Sequence, residues 1–296
     1  MPSTPAMLSL PDGCRLLLTD FAAPSTAPPR GQILIVHGLG EHAGRYTALA
    51  RHLAARGWQV TAHDHRGHGG SDGPRGVIPA ESSLLADLGA VIAHRRAQQP
   101  KQPQGPLLLL GHSLGGLVAG RYVAEGLAAQ PAAWWQAVDG LVMSSPALDA
   151  GMNAAQKLLL AVLGPLSSRF APNLAVHNGL QPDWICRDAA VVRAYVADPL
   201  VHDRIAPRLV RFIVEAGALV RQRAPQWRLP TLLQYAGADR CVAPAGSAAF
   251  AAAAPPQWLQ SRRYADLAHE IYNEPERAQV LADLLAWLEA RFPAAA

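Results

Sequence analysis

The chain has 296 residues, half of them hydrophobic, with a formal net charge of +4, a pI near 9.2 and a mean hydropathy of +0.07. That length is enough for one large α/β domain carrying an insertion. No apolar run approaches the ~18 residues of a membrane span, and the basic residues are dispersed, which argues against a transmembrane protein and against a nucleic-acid partner.

In chain order, an opening strand or hairpin is predicted from Leu8 to Phe21, followed by a Pro-rich linker, Ala22 to Arg30. The start of the chain, Met1 to Leu10, has neither a basic end nor a long apolar stretch and reads as no secretory signal. Gln32 to Val36 is an apolar strand that ends in the loop His37-Gly38-Leu39-Gly40. Strand and helix runs then alternate, the pattern of a mostly parallel sheet covered on both faces. Leu107 to Leu110 reads as a short buried strand, and Leu114 to Ala129 carries Leu117, Val118, Tyr122, Val123 and Leu127 at helical spacing. Gly140 to Met143 is the next strand.

The alternation breaks between Leu148 and Trp227. Leu158 to Leu163, Ala189 to Val196 and Leu209 to Leu219 fit helices, with no convincing strand among them, so a helical cap is expected after strand six. Strands resume at Thr231 to Tyr235 and Trp258 to Tyr264. Ala248 to Ala254 suits a surface helix, and Glu274 to Arg291 a long final one. The expected division is a core in two parts, 1–147 and 228–296, with the cap at 148–227. Cys14, Cys186 and Cys241 are odd in number, widely separated and in no metal spacing, and read as reduced thiols of a cytoplasmic protein.

Chemistry is concentrated where the leucine strand meets the next helix. Gly111-His112-Ser113-Leu114-Gly115-Gly116 holds G-x-S-x-G in a strand–turn–helix setting, which would lift a serine Oγ away from the backbone at a helix start. Gly111 and Gly115 would let strand and helix approach without Cβ clashes. Gly69-Gly70-Ser71-Asp72-Gly73 matches the same string, but Pro74, Arg75 and Gly76 follow it as loop, so Ser71 is rejected as a nucleophile.

A serine needs a base to take its proton and a carboxylate to orient that base. On a sheet of this kind the chain order is Ser, then Asp or Glu, then His. Asp239 closes the strand Thr231 to Tyr235 and sits on the loop at its carboxyl end, where open α/β sheets handle ligands. After Asp239 only His269 remains, just past the strand Trp258 to Tyr264. Asp149 is the fallback acid, with Asp198 and Asp203 weaker because they lie in the cap. An oxyanion hole would use the N–H of Leu114 and, from the loop after Val36, the N–H of Leu39. His37 precedes Ser113, and its expected job is to brace that loop by hydrogen bonding.

The stretch His37-Gly38-Leu39-Gly40-Glu41-His42-Ala43-Gly44-Arg45-Tyr46 resembles the H-G-x-G-E-H-x-x-R-Y signature of the monoacylglycerol lipase and lysophospholipase branch of the α/β-hydrolases. Asp64-His65-Arg66-Gly67-His68-Gly69-Gly70-Ser71 is similar to that branch's D-x-R-G-x-G-x-S loop, and Gly111 to Gly116 to its G-H-S-x-G-G. Ser144-Ser145-Pro146-Ala147-Leu148, Asp198-Pro199-Leu200 and His269-Glu270 match its later landmarks. The resemblance runs from about Gln32 to the last helix. It implies the α/β-hydrolase fold, with Ser113, Asp239 and His269 as catalytic residues, Leu39 and Leu114 as oxyanion donors, an acyl ester as substrate and no cofactor. The branch also includes serine aminopeptidases, so it speaks to fold more sharply than to substrate.

An aminopeptidase or an acyltransferase on the same fold stays open, and three other readings bear on substrate and partners. The apolar cap helix Ala154 to Leu163 would wall a greasy pocket over Ser113, dock the cap on the core, or touch a membrane surface from the cytoplasmic side. An aminopeptidase would need carboxylates in the cap for the substrate amine, and Asp183, Asp188 and Glu215 are the candidates. His63-Asp64-His65-Arg66-Gly67-His68 nearly spells the H-x-H-x-D-H zinc cluster of metallo-β-lactamase-type hydrolases. Gly67 stands where that cluster has a metal-binding aspartate, so metal catalysis is the remote alternative.

Overall fold

The computed structural model describes residues 4–21, 29–98, 105–151, 171 and 173–294. Eight strands form one sheet: β1 (Thr4–Ser9), β2 (Arg15–Phe21), β3 (Gly31–Val36), β4 (Trp58–His63), β5 (Leu107–His112), β6 (Gly140–Ser144), β9 (Thr231–Ala236) and β10 (Leu259–Tyr264). Their spatial order is β1-β2-β4-β3-β5-β6-β9-β10. The β1–β2 and β2–β4 pairs are antiparallel, and all others are parallel. This is the mostly parallel sheet expected from the alternation, with an antiparallel hairpin at one edge.

The central strands are buried on both faces, and the period-2 alternation sorts their side chains between two cores. Leu34, Val36, Leu107, Leu109, Leu141, Met143 and Leu233 pack on one side with α2 (Ser83–Ala97), α3 (Leu114–Glu125), α5 (Pro207–Arg223) and α6 (Pro244–Ala253). Ile33, Ile35, Leu108, Leu110, Val142 and Leu232 face the other way, onto α1 (Thr47–Ala54) and α7 (Arg277–Arg291). Both faces of the central strands are thus covered, and the loops at their carboxyl ends follow directly from buried strands.

Several boundaries differ from the sequence reading. Helix α3 stops at Glu125, where Gly126 turns the chain, short of Ala129. Helix α7 starts at Arg277, later than Glu274, because Pro275 disfavours helical backbone at the residue before it, and the Glu274 carboxylate is engaged by the N–H groups of Arg187 and Ala268. The Ala248–Ala254 stretch belongs to α6, which buries Gly246, Ser247 and Phe250 and is therefore half core.

Between β6 and β9 lie α4 (Ala189–Ala197) and α5, near their expected spans. The expectation of no strand there needs correcting. Val176–His177 (β7) pairs antiparallel with Arg204–Ile205 (β8). Two residues per strand are too few to leave a periodic signal. The apolar segment Ala154 to Leu163 lies outside the described residues.

Candidate active site

Ser113 joins β5 to α3 with φ 53° and ψ −119°. Holding a non-glycine residue there costs about 1–3 kcal/mol, which the surroundings must supply. The Ser113 N–H donates to the Ser144 carbonyl at 2.9 Å, and the Ala147 N–H donates to the Ser113 carbonyl at 3.0 Å. Both ties run to the end of the neighbouring strand, so the turn is fixed from outside. A Cβ on Gly111 would collide with the Gly115 carbonyl, and one on Gly115 with the Val36 carbonyl. The two glycines are required by this close packing of strand, turn and helix.

Asp239 follows β9 and His269 follows β10, and the two meet: His269 Nδ1 lies 2.7 Å from Asp239 Oδ2. The other carboxylate oxygen accepts the N–H groups of Cys241 at 2.8 Å and Val242 at 3.0 Å, which fixes its orientation. With Nδ1–H given to the carboxylate, Nε2 carries the lone pair. Burial pulls the His269 pKa down, but the charge and hydrogen bond of Asp239, together with the charges of Glu270 and Glu41, outweigh it, so the imidazole is held above the ordinary histidine value.

The alternative acids are elsewhere. Asp149 accepts from Gly151 N–H, Asp198 pairs with His42 Nε2 at 2.8 Å, and Asp203 pairs with His177.

Ser113, Leu39, Leu114 and Asp239 line a single cavity of about 660 Å³. Its far wall is apolar: Ile205 from β8 and Val210, Ile213 and Val214 from α5. Of the carboxylates considered for holding an amine, Asp188 caps α4 and Glu215 pairs with Arg211, both outside the cavity lining. Asp183 is exposed and does not line it either.

The histidines of the zinc-like string have a different arrangement from a metal site. His63, His65, His37, His68 and His202 form a column of buried or half-buried rings, with three of the four steps between successive centroids at 4.4–5.2 Å. The His37–His68 step is slightly longer, at 5.4 Å. Among the described residues, the one group that brings three ligand atoms within 4.8 Å of one another is Asp239, Cys241 and His269, where Asp239 and His269 already bond each other. His37 braces its loop: its ring nitrogens take the Gly38 carbonyl at 2.7 Å and the His65 N–H at 2.9 Å. Burial and the neighbouring rings keep His37, His65 and His68 neutral, with pKa values well below normal.

Sequence reasoning quoted other residues at the site without giving them a role. The His112 ring lies 4.6 Å from the His269 ring, and burial drives its pKa to about 3, so it presents no positive charge there. Glu41, Arg45 and Glu270 form a buried ion cluster, and Cys241 lies in the cavity wall. The signal for the cluster was the length of the H-G-x-G-E-H-x-x-R-Y match, which extends well past the glycines an oxyanion loop needs.

Known proteins resemble this chain along most of its length. The family described as "Serine aminopeptidase, S33" matches residues 27–276. A monoacylglycerol lipase of Mycolicibacterium smegmatis is 34% identical over 275 residues, covering 92% of this chain and 92% of that protein. A monoglyceride lipase of Rattus norvegicus is 30% identical over 270 residues, covering 90% and 85%. The crystal structure of Paleococcus ferrophilus monoacylglycerol lipase superposes with a TM-score of 0.78 at 31% identity, covering 93% of this chain and 99% of that one. The chain belongs to this family, as an α/β-hydrolase of the monoglyceride lipase-like branch. Its chemical class is that of a carboxylic ester hydrolase.

Proposed function

We propose that the protein cleaves monoacylglycerol-like or lysophospholipid-like esters through an acyl-enzyme intermediate. Ser113 attacks the carbonyl while His269 Nε2 takes its proton and passes it to the leaving alcohol. Asp239 keeps the imidazole in the tautomer this requires and stabilises the imidazolium. The amides of Leu39 and Leu114 receive the oxyanion, and water releases the acid by the same steps in reverse roles. The observation that carries the reading is the 2.7 Å Asp239–His269 pair at the carboxyl end of the sheet, with Asp239 and the strained Ser113 lining the same cavity. No cofactor enters this chemistry.

An ester substrate fits better than an aminoacyl amide. The cavity's far wall is aliphatic, and none of the three candidate carboxylates lines it. The cap, residues 148–227, supplies that wall between the two parts of the core, 1–147 and 228–296. A cytoplasmic site of action belongs to the same reading and is supported by three unpaired cysteines. Peripheral membrane contact through the cap is supported by Leu174, Val176, Val196 and Leu200, large apolar side chains exposed on that segment. No described helix is long and apolar enough to cross a membrane.

Chain length is the test. Each buried CH₂ contributes about 0.8 kcal/mol, so kcat/KM should climb roughly fourfold per methylene until the cavity is full. Medium- and long-chain monoacylglycerols should outrun acetyl esters, with little cleavage of aminoacyl amides. Ile213→Asp, placing a charge in the cavity wall, should damage long substrates selectively. A flat chain-length profile with brisk aminoacyl-amide cleavage would hand the assignment to a peptidase.

A further inference from the structure

We infer that Arg45 is a positioning residue for the hydrolytic reaction, tying the oxyanion loop to the histidine loop through Glu41 on one side and Glu270 on the other. The inference rests on the serine mechanism proposed above and adds to it a link between two loops that the mechanism treats as independent.

The geometry is continuous from one loop to the other. Glu41 Oε1 accepts the Gly38 N–H at 2.6 Å and the Tyr46 hydroxyl at 2.6 Å. Its second oxygen accepts from the Arg45 guanidinium at 2.7 Å. The same guanidinium forks onto both oxygens of Glu270, at 2.5 and 2.8 Å, and Asn273 donates to Glu270 at 2.8 Å. Glu270 is the residue after His269. At the other end, a Cβ built on Gly38 would lie 3.2 Å from the Cβ of Ser113, so the Gly38 backbone is against the nucleophile. The bridge therefore joins the residue before one oxyanion donor to the residue after the general base.

Its burial argues for a role in catalysis. The side chains of Arg45, Glu41 and Glu270 are 11%, 5% and 7% exposed, and the Tyr195 ring from α4 covers the guanidinium at 4.7 Å. Burying three charges gains little stability, because desolvation offsets most of their attraction. What such a cluster does supply is fixed geometry. An arginine holds two carboxylates at once in set directions, which a lysine's single ammonium does not. One cation between two carboxylates also leaves a net negative charge near His269, the ring that becomes positive when it takes the Ser113 proton. Against burial, which lowers it, the His269 pKa is held up first by Asp239 and then by Glu270 and Glu41.

The experiment compares Arg45→Met, Arg45→Lys, Glu41→Gln and Glu270→Gln with the unaltered protein on a short p-nitrophenyl ester across pH, alongside fluorophosphonate inactivation rates. Arg45→Met should lose about 10²-fold in kcat, the cost of a misplaced catalytic group, with KM within about threefold. Inactivation should slow in parallel, and Arg45→Lys should recover part of both losses. Glu41→Gln and Glu270→Gln should move the acid limb of the kcat/KM profile downward, a change that loosened packing alone would not produce.

Unaltered kcat and inactivation rate in Arg45→Met would overturn the inference, as would an acid limb that stays put in both glutamine variants. If Arg45→Met does not fold, Arg45→Lys and Glu270→Gln decide by the same readouts. Ser113→Ala separates the two failures. Residual esterase activity in that variant sinks the serine mechanism itself, whereas an inert Ser113→Ala beside a fully active Arg45→Met sinks the positioning role alone.

Discussion

Gly69-Gly70-Ser71-Asp72-Gly73 and Gly111-His112-Ser113-Leu114-Gly115 carry the same spacing of glycine and serine in very different settings. Ser71 is sealed into a loop: its Oγ accepts the Leu17 N–H at 2.8 Å and donates to the Asp64 carbonyl at 2.7 Å. Its hydroxyl is fully used in tying the loop to β2. Ser113 stands between a buried strand and a helix, at a positive φ, on a cavity shared with Asp239. The short motif is therefore a statement about backbone shape only when a strand precedes it and a helix follows, because those two elements create the strain and the exposure. The same five letters in a loop make a clasp.

Substitution of the two serines gives the sharpest contrast. Ser113→Ala should lose about 10⁶-fold in kcat and all fluorophosphonate labelling, since triad members act as a unit. Ser71→Ala should keep labelling and most activity while lowering the melting temperature, since a buried hydrogen bond and its partner are disturbed. Labelling that persists in Ser113→Ala would break the comparison at its root.

Asp239→Asn comes next. It keeps the shape but removes the charge that orients and stabilises the imidazole, a loss of about 10⁴-fold in a comparable triad. The sign of its pH effect follows from the cause of the His269 shift. The raised value places the acid limb of activity above the ordinary histidine pKa, because the base must be neutral to accept a proton. Without the Asp239 charge, burial dominates and the limb should move down. A fully active Asp239→Asn protein, or a limb that does not move, would send the acid role back to Asp149.

Much of this was legible in the sequence because the signals were local. The leucine run before Gly111 marks a strand buried on both faces, and chain order alone left His269 as the base once Asp239 was chosen. Three things were not legible. The β7–β8 pair depends on residues far apart in the chain that share only two rungs. The start of α7 lies past Pro275, which disfavours helical backbone at Glu274, and the partner that holds the Glu274 carboxylate, Arg187, is far off in the chain. The Arg45 bridge joins positions separated by most of the chain, so periodicity cannot reveal it. Aliphatic α5 residues line the cavity, yet their spacing looked only like helix packing, since a wall and a core contact use the same side chains.

The smallest expected effect separates the two serine regions by their response to acid. The Ser71 loop rests on the histidine column, since the Ser71 N–H donates to the His68 carbonyl and the His68 N–H to that of His65, both at 3.0 Å. Burial lowers the His63 pKa to about 4, and both of its ring nitrogens lack partners among the described residues. An unfolded chain binds protons on these rings below about pH 6.5. The folded state does not, so stability is present above 6.5 and falls as pH drops toward 4. Each such ring costs about 1.4 kcal/mol per pH unit within that window. His269 does not mask the trend: with a raised pKa, its contribution is complete below 6.5 and is lost only as pH rises through the folded value. The urea midpoint should therefore fall between pH 6.5 and 4.5, and His63→Phe should make that fall shallower by one histidine's share while leaving the acid limb of activity in place. If the midpoint is flat over this range, or if His63→Phe shifts the activity limb and not the stability slope, the two regions are not separable by protonation, and the column has some role other than holding neutral rings under the loop.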